Sequence, residues 1–77
     1  MHIDYLVRMA NDIGAFFANE EDKNVAADSI YQHIHKFWDP RMRSRIIAHY
    51  HETGGTELEG PVRIAIQRLA EETAVKA

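Results

Sequence analysis

The sequence predicts an all-α protein: a small single domain, residues 1–77, built as a bundle of four short helices. Three observations support this prediction. Apolar residues recur at the three- and four-residue spacing of a helix, and no segment alternates with the period of a strand. An Asp–Pro pair and a Gly–Gly pair lie between the periodic segments, where helices start and stop. No internal repeat divides the chain into smaller units.

The first segment has the pattern of an amphipathic helix from about residue 3 to about residue 20. Its apolar arc consists of Leu6, Met9, Ala10, Ile13, Phe16 and Phe17. The polar residues opposite are Asp4, Arg8, Asn11, Asp12 and Asn19. Gly14 lies near the edge of the apolar arc, where it either lets another helix approach closely or is a tolerated glycine that costs about 1 kcal/mol. Both interpretations fit the sequence.

The second helix follows the polar stretch NEEDKN, with Asp22 or Asn24 as its N-cap. Its apolar stripe contains Ile30, Ile34 and Phe37, with Ala27, Tyr31 and Trp38 on the flank. We expect Phe37 in the core. The helix should end near Trp38, because the residue before a proline avoids helical backbone angles.

Asp39 and Pro40 should start the third helix as its N-cap and first residue, and Gly54–Gly55 should end it. One side of this helix carries Met42, Ile46, His49 and Tyr50. Another side carries Arg41, Arg45, Ala48 and Glu52, and we expect Arg41 and Arg45 in water. Arg43 lies beside Ile47 at the border of the apolar side.

A fourth helix should open at Gly60–Pro61. Its apolar face contains Val62, Ala65, Ile66 and Leu69. The other side carries Ile64, Arg68 and Val75. Short connections between four such helices are typical of a bundle.

Composition sets limits on stability and on the class of partner. The chain is 45% hydrophobic and has no cysteine, so a small core must fold without a disulfide, and a partner chain or tight helix packing must supply the remaining stability. The net charge of −3 and the pI of about 5.9 argue against general nucleic-acid binding, which requires basic side chains. No apolar run is long enough for a secretory signal or a membrane span, so we expect a cytoplasmic protein without membrane contact.

Motifs for catalysis or metal binding are missing from the sequence. The pairs His33/His35 and His49/His51 are two residues apart, so on a helix they point to nearly opposite sides, whereas helical metal pairs lie three or four apart. A pair across two helices, such as His33 with His49, remains an alternative. The sequence has no phosphate-binding glycine loop and no nucleophile motif. We predict no catalytic, cofactor-binding or metal-binding residue in this chain.

A helix-turn-helix is the competing interpretation. Its two helices would be residues 26–38 and 40–50, with Arg41, Arg43 and Arg45 directed at a groove of DNA. The acidic net charge and the lack of a small residue in the turn argue against it. A stand-alone protein-binding or nucleic-acid-binding module therefore stays the alternative function, and self-association of the isolated chain stays open.

Two motifs carry a family resemblance: LVRMANDIGAFF at Leu6–Phe17 and HIHKFWDPRMR at His33–Arg43. With the Gly–Gly stop and the proline-started apolar helix that follow, they closely resemble the delta subunit of bacterial NAD-dependent formate dehydrogenase. The central motif is specific, because tryptophan and internal proline are uncommon in small helical bundles. The resemblance covers most of the chain.

This resemblance implies a non-catalytic subunit of a soluble complex, dependent on molybdenum or tungsten, that oxidises formate and reduces NAD. Other subunits of that family carry the molybdopterin, the iron–sulfur clusters and the flavin. The delta subunit is linked to assembly or stability of the complex, or to insertion of the molybdopterin cofactor. The implied partners are the catalytic subunit and the subunits associated with it.

A docking hypothesis follows for the break between the second and third helices. Trp38 and Arg43 lie on either side of it, with Ile47 beside Arg43, and we expect these three to form part of a face that binds the catalytic subunit. Aromatic and arginine side chains dominate the energetic centres of protein interfaces. For Trp38, burial in the core is an equally good interpretation.

Overall fold

The computed structural model describes the backbone of residues 2–76 and the side chains of residues 2–73. Four helices follow one another along the chain: α1 (Ile3–Phe16), α2 (Lys23–Phe37), α3 (Pro40–Thr53) and α4 (Gly60–Lys76). The backbone of residues 2–76 contains no strand. The prediction of an all-α bundle of four helices is therefore confirmed.

The first helix is shorter than the sequence pattern predicted, since α1 ends at Phe16 rather than near residue 20. The N–H groups of Phe17 and Ala18 donate to carbonyls only three residues back, at 3.1 and 3.2 Å. Such bonds tighten the last turn into 3₁₀ geometry and end the helix. Phe16, the last residue of α1, is 75% exposed, so its predicted place on the buried arc was wrong.

The predicted caps of α2 and α3 are confirmed, with Asp22 rather than Asn24 capping α2. The Asp22 side chain accepts hydrogen bonds from the N–H groups of Asn24 and Val25. The Asp39 side chain does the same for Arg41 and Met42 at 2.9 and 3.1 Å. Each cap satisfies N–H groups that have no partner within the helix.

The core lies where all four helices meet, and α2 and α4 share its most extensive contact. Its buried members are Leu6, Val7, Ala10, Ile30, Ile34, Trp38, Ile46, Leu58, Val62, Ala65, Ile66 and Leu69. The predicted apolar faces of α3 and α4 are confirmed. Val75, which was predicted on the other side of α4, lies outside the residues whose side chains the structure describes. Leu58 comes from the α3–α4 connection and lacks a helical period, so the sequence pattern did not identify it.

Gly14 is a point of close approach between helices. A Cβ atom at this position would lie 2.4 Å from Cγ2 of Val62 on α4. A side chain cannot fit there unless α1 and α4 move apart. Of the two interpretations that the sequence left open, the close approach is confirmed.

Phe37 is the clearest error in the predicted core, because its side chain is 69% exposed. Ile34 is fully buried, and both Phe37 and Trp38 lie within one helical turn of it. Trp38 leaves the helix in an extended conformation (φ −81°, ψ 139°) and its indole enters the core, only 4% exposed. The phenyl ring of Phe37 therefore remains at the surface.

Within residues 2–76, no helix combines the length and hydropathy that a membrane span requires.

Candidate protein-binding site

Trp38, the first residue of the docking hypothesis, is enclosed by the chain itself. It belongs to the same buried cluster as Ile34 and Ile46. Its indole is therefore a core side chain, as the second interpretation held, and presents almost no surface to another protein. The tryptophan can affect docking only through the shape of the α2–α3 break.

Arg43, the second residue, is held against the end of α2. Its Nη1 donates to the carbonyl oxygens of Trp38 and His35, the latter at 3.2 Å. The end of a helix leaves carbonyls without intrahelical partners, and a guanidinium supplies the donors that they need. The arginine thus ties the start of α3 to the end of α2, a role that the sequence pattern did not reveal.

Ile47, the third residue, lies half-buried on α3 one turn after Arg43. Both side chains line a surface pocket of about 190 Å³ at the junction of α2, α3 and α4. The other residues of this pocket are His35, Pro40, Ser44, Leu69, Glu72 and Thr73. The structure therefore brings Arg43 and Ile47 together at one surface depression and leaves Trp38 outside it.

Arg41 and Arg45 lie in water on the opposite side of α3, as predicted. Neither forms an ion pair with a carboxylate of the described residues. Because Arg43 is engaged with the backbone, only these two of the three arginines could face DNA in the helix-turn-helix interpretation. Few free cations and an acidic chain do not favour such binding.

A second surface, which we call the aromatic groove, runs along α2. It is an open groove lined by Phe17, Asp28, Ser29, Gln32, His33, Lys36 and Phe37. At one side the exposed ring of Phe16 lies 5.3 Å from the ring of Phe17, measured between centroids. At the other, the ring of Phe37 lies 4.9 Å from the imidazole of His33. Large apolar side chains gathered at a surface in this way are typical of protein-binding sites.

Polar contacts join α2 to α4 beside both surfaces. The guanidinium of Arg68 donates to the Asp28 carboxylate at 2.9 Å and lies 5.2 Å from the centroid of the Tyr31 ring. The Tyr31 hydroxyl donates to the Glu72 carboxylate. This hydrogen bond and, to a lesser extent, partial burial raise the pKa of Tyr31 above its ordinary value of 10.0.

The histidines do not converge. His49 is 8% exposed, and its Nε2 lies 2.9 Å from a carboxylate oxygen of Glu57. His33 lies in the aromatic groove, so the cross-helix pair of His33 with His49 does not form. Among the described residues, no group of three or more His, Cys, Asp or Glu side chains is placed to hold a metal ion.

The α3–α4 connection depends on two residues that the sequence analysis did not identify. Asn11 on α1 donates to the Glu57 carbonyl and accepts from the Glu59 N–H, both at 3.0 Å. Arg63 on α4 donates to the carbonyls of Gly55 and Leu58 at 3.0 and 3.2 Å. No local sequence signal could have shown these contacts, because an asparagine on a polar arc is also typical of a solvated residue.

Comparison with known proteins shows the family of the chain. Searches of the curated proteins and of the solved structures give no match. The sequence profile described as NADH-dependent formate dehydrogenase delta subunit FdsD matches residues 5–66, which include both the α1 motif and the motif around the α2–α3 break. The profile covers most of the chain, and the protein therefore belongs to the family of NADH-dependent formate dehydrogenase delta subunits.

Proposed function

We propose that this chain is a non-catalytic accessory subunit that docks on a formate dehydrogenase complex and stabilises its assembled form. The observation that carries the proposal is the family membership over residues 5–66. Docking on the catalytic subunit is the arrangement we favour, in the cytoplasm of the cell.

The side chains support an accessory role rather than a catalytic one. Iron–sulfur clusters are held by cysteine thiolates, and the sequence contains no cysteine. The buried polar side chain of His49 is bonded to Glu57, within the molecule and away from both surface depressions. We therefore assign the molybdopterin, the iron–sulfur clusters, the flavin and the NAD site to other subunits of the complex.

The exposed surface supports docking. The chain leaves two phenylalanines about two-thirds or more exposed, although apolar side chains are what so small a core needs most. A partner that covers such side chains stabilises the folded chain by mass action, and the chain stabilises the partner in return. The rim of the 190 Å³ pocket, with Arg43 and Ile47, is a second candidate contact on the same molecule.

The test compares the complex made with and without this chain. We expect omission to lower both the yield of assembled complex and its melting temperature, while molybdenum or tungsten and molybdopterin per catalytic subunit stay unchanged. If the complex instead assembles normally but lacks the metal and molybdopterin, the role is cofactor insertion. A complex that forms, melts and reduces NAD identically without the chain would overturn the accessory function.

A further inference from the structure

We propose that Arg41 and Arg45 bind two carboxylates of a partner subunit, and that the depression beside them accepts an apolar side chain of the same partner segment. This inference rests on the proposed function and names the surface and the chemistry of the partner. It differs from the docking face predicted from the sequence, because Trp38 is buried and Arg43 is bonded to the backbone.

The two arginines lie one turn apart on an exposed surface of α3. We call this surface the arginine face; its residues are Pro40, Arg41, Ser44, Arg45 and Ala48. Like charges four residues apart on a helix repel each other, and cations near the start of a helix oppose its dipole. No acidic residue in the first turn of α3 offsets them. The pair therefore destabilises α3 in the isolated chain, and carboxylates from a partner would remove this cost.

The carboxylates of the chain itself leave the arginine pair without an ion-pair partner. Asp39 is the one carboxylate that lines the surface around the pair, and its side chain accepts the N–H groups of Arg41 and Met42 as the cap of α3. Glu52 follows Arg45 by seven residues, about 10 Å along the helix axis, and forms no ion pair with it. Two guanidinium groups thus outnumber one capping carboxylate on a chain whose net charge is −3, so the complementary surface is acidic.

A depression of about 300 Å³ between α1 and α3 adjoins the pair. It is lined by Leu6, Asp39, Arg41, Met42 and Arg45. Leu6 and Met42 give it an apolar lining that a leucine-sized side chain of a partner can contact while neighbouring carboxylates reach the arginines. The arginines are about 6 Å apart along the helix axis, and carboxylates four residues apart on a partner helix have the same spacing.

A protein segment fits this surface better than a nucleic acid or a free anion does. Nucleic-acid binding requires a row of cations along the phosphate backbone, and the arginine face supplies two. A small free anion would bind the guanidinium groups and leave the apolar depression unused. An arginine beside an apolar pocket is typical of the energetic centre of a protein interface.

The experiment measures binding of the full chain to the dehydrogenase complex produced without it, at low and at raised salt. The face variants are Arg41→Glu and Arg45→Glu. Arg8→Glu is the matched control, because Arg8 is an exposed helical arginine outside both depressions and has no ion pair to the described carboxylates. All three substitutions change the net charge equally, so a difference among them reports position.

We expect each face variant to weaken binding about tenfold or more, and Arg8→Glu to change it less than about threefold. Raised salt should weaken binding of the parent chain more than binding of the face variants, because salt screens the charges that they have lost. Arg41→Glu should not lower the melting temperature, because a carboxylate in the first turn of α3 complements the helix dipole. Its loss of binding is then not a loss of folding.

Three results would overturn the proposal. If the parent chain binds and the face variants bind as Arg8→Glu does, the arginine face is wrong while the accessory function stands. If the parent chain does not bind the complex at all, both proposals fail. If the face variants bind the complex as the parent does but lose self-association, or the binding of a single-stranded oligonucleotide, then the occupant is a second copy or a nucleic acid.

Discussion

At two junctions between helices of the bundle, an arginine side chain donates hydrogen bonds to backbone carbonyls. The sequence features that specify the two junctions are different. At the α2–α3 junction, Arg43 donates to carbonyls of His35 and Trp38. At the α3–α4 junction, Arg63 donates to carbonyls of Gly55 and Leu58. In both cases a guanidinium from the first turns of a helix satisfies carbonyl groups of the segment that precedes it.

The two junctions differ in how far along the chain the residues that form them are separated. The first junction takes two residues, and its Asp–Pro pair lies within the junction or next to it. The second junction takes six residues and turns through two glycines with φ of 76° and 71°. It also needs a hydrogen bond from Asn11 to the carbonyl of Glu57, which lies 46 residues further along the chain. A short break can thus be encoded locally, whereas a longer connection needs a partner from another helix.

The largest expected effect comes from Trp38→Ala at the α2–α3 junction. Loss of a buried indole should lower the free energy of unfolding by about 3 to 5 kcal/mol, because it leaves a cavity in the core. The neighbouring Phe37→Ala should cost less than about 1 kcal/mol, because that ring is exposed. Urea denaturation of both variants checks the contrast, and similar losses would mean that the core includes both rings.

An intermediate effect is expected from Asn11→Ala at the α3–α4 junction. The substitution removes two hydrogen bonds at about 1 kcal/mol each, so stability should fall by about 2 kcal/mol. The amide of Glu59 should also exchange its hydrogen faster, because it loses its acceptor. The exposed Asn24→Ala serves as the control. Unchanged exchange at Glu59 would show that the connection closes without help from α1.

The smallest effect is expected from Arg43→Met, which should cost about 1 kcal/mol by removing the donor to the end of α2. Arg41→Met, in water on the same helix, should cost less than about 0.5 kcal/mol. Thermal melts measure the difference. Parent-like stability of Arg43→Met together with weaker binding to the dehydrogenase complex would restore Arg43 as an interface residue.

The arginines illustrate how far the sequence could predict a site. Helical spacing correctly placed Arg41 and Arg45 in water and Arg43 at the border of the apolar face. It could not say what the border arginine contacts, because backbone carbonyls carry no sequence signal. A surface with exposed phenylalanines was likewise hidden, since apolar residues at helical spacing are expected to be buried.

The sequence by itself determined the helices, their main caps, the apolar faces of α3 and α4 and the family, because these depend on residues within one or two turns of each other or on whole motifs. Tertiary structure alone decided between Phe37 and Trp38 for the core, placed Leu58 inside it and used Gly14 for the approach of Val62. Neighbouring positions on a helix differ by only about 100° in direction. The packing of the other helices therefore decides which side chain is buried and which is left for a partner.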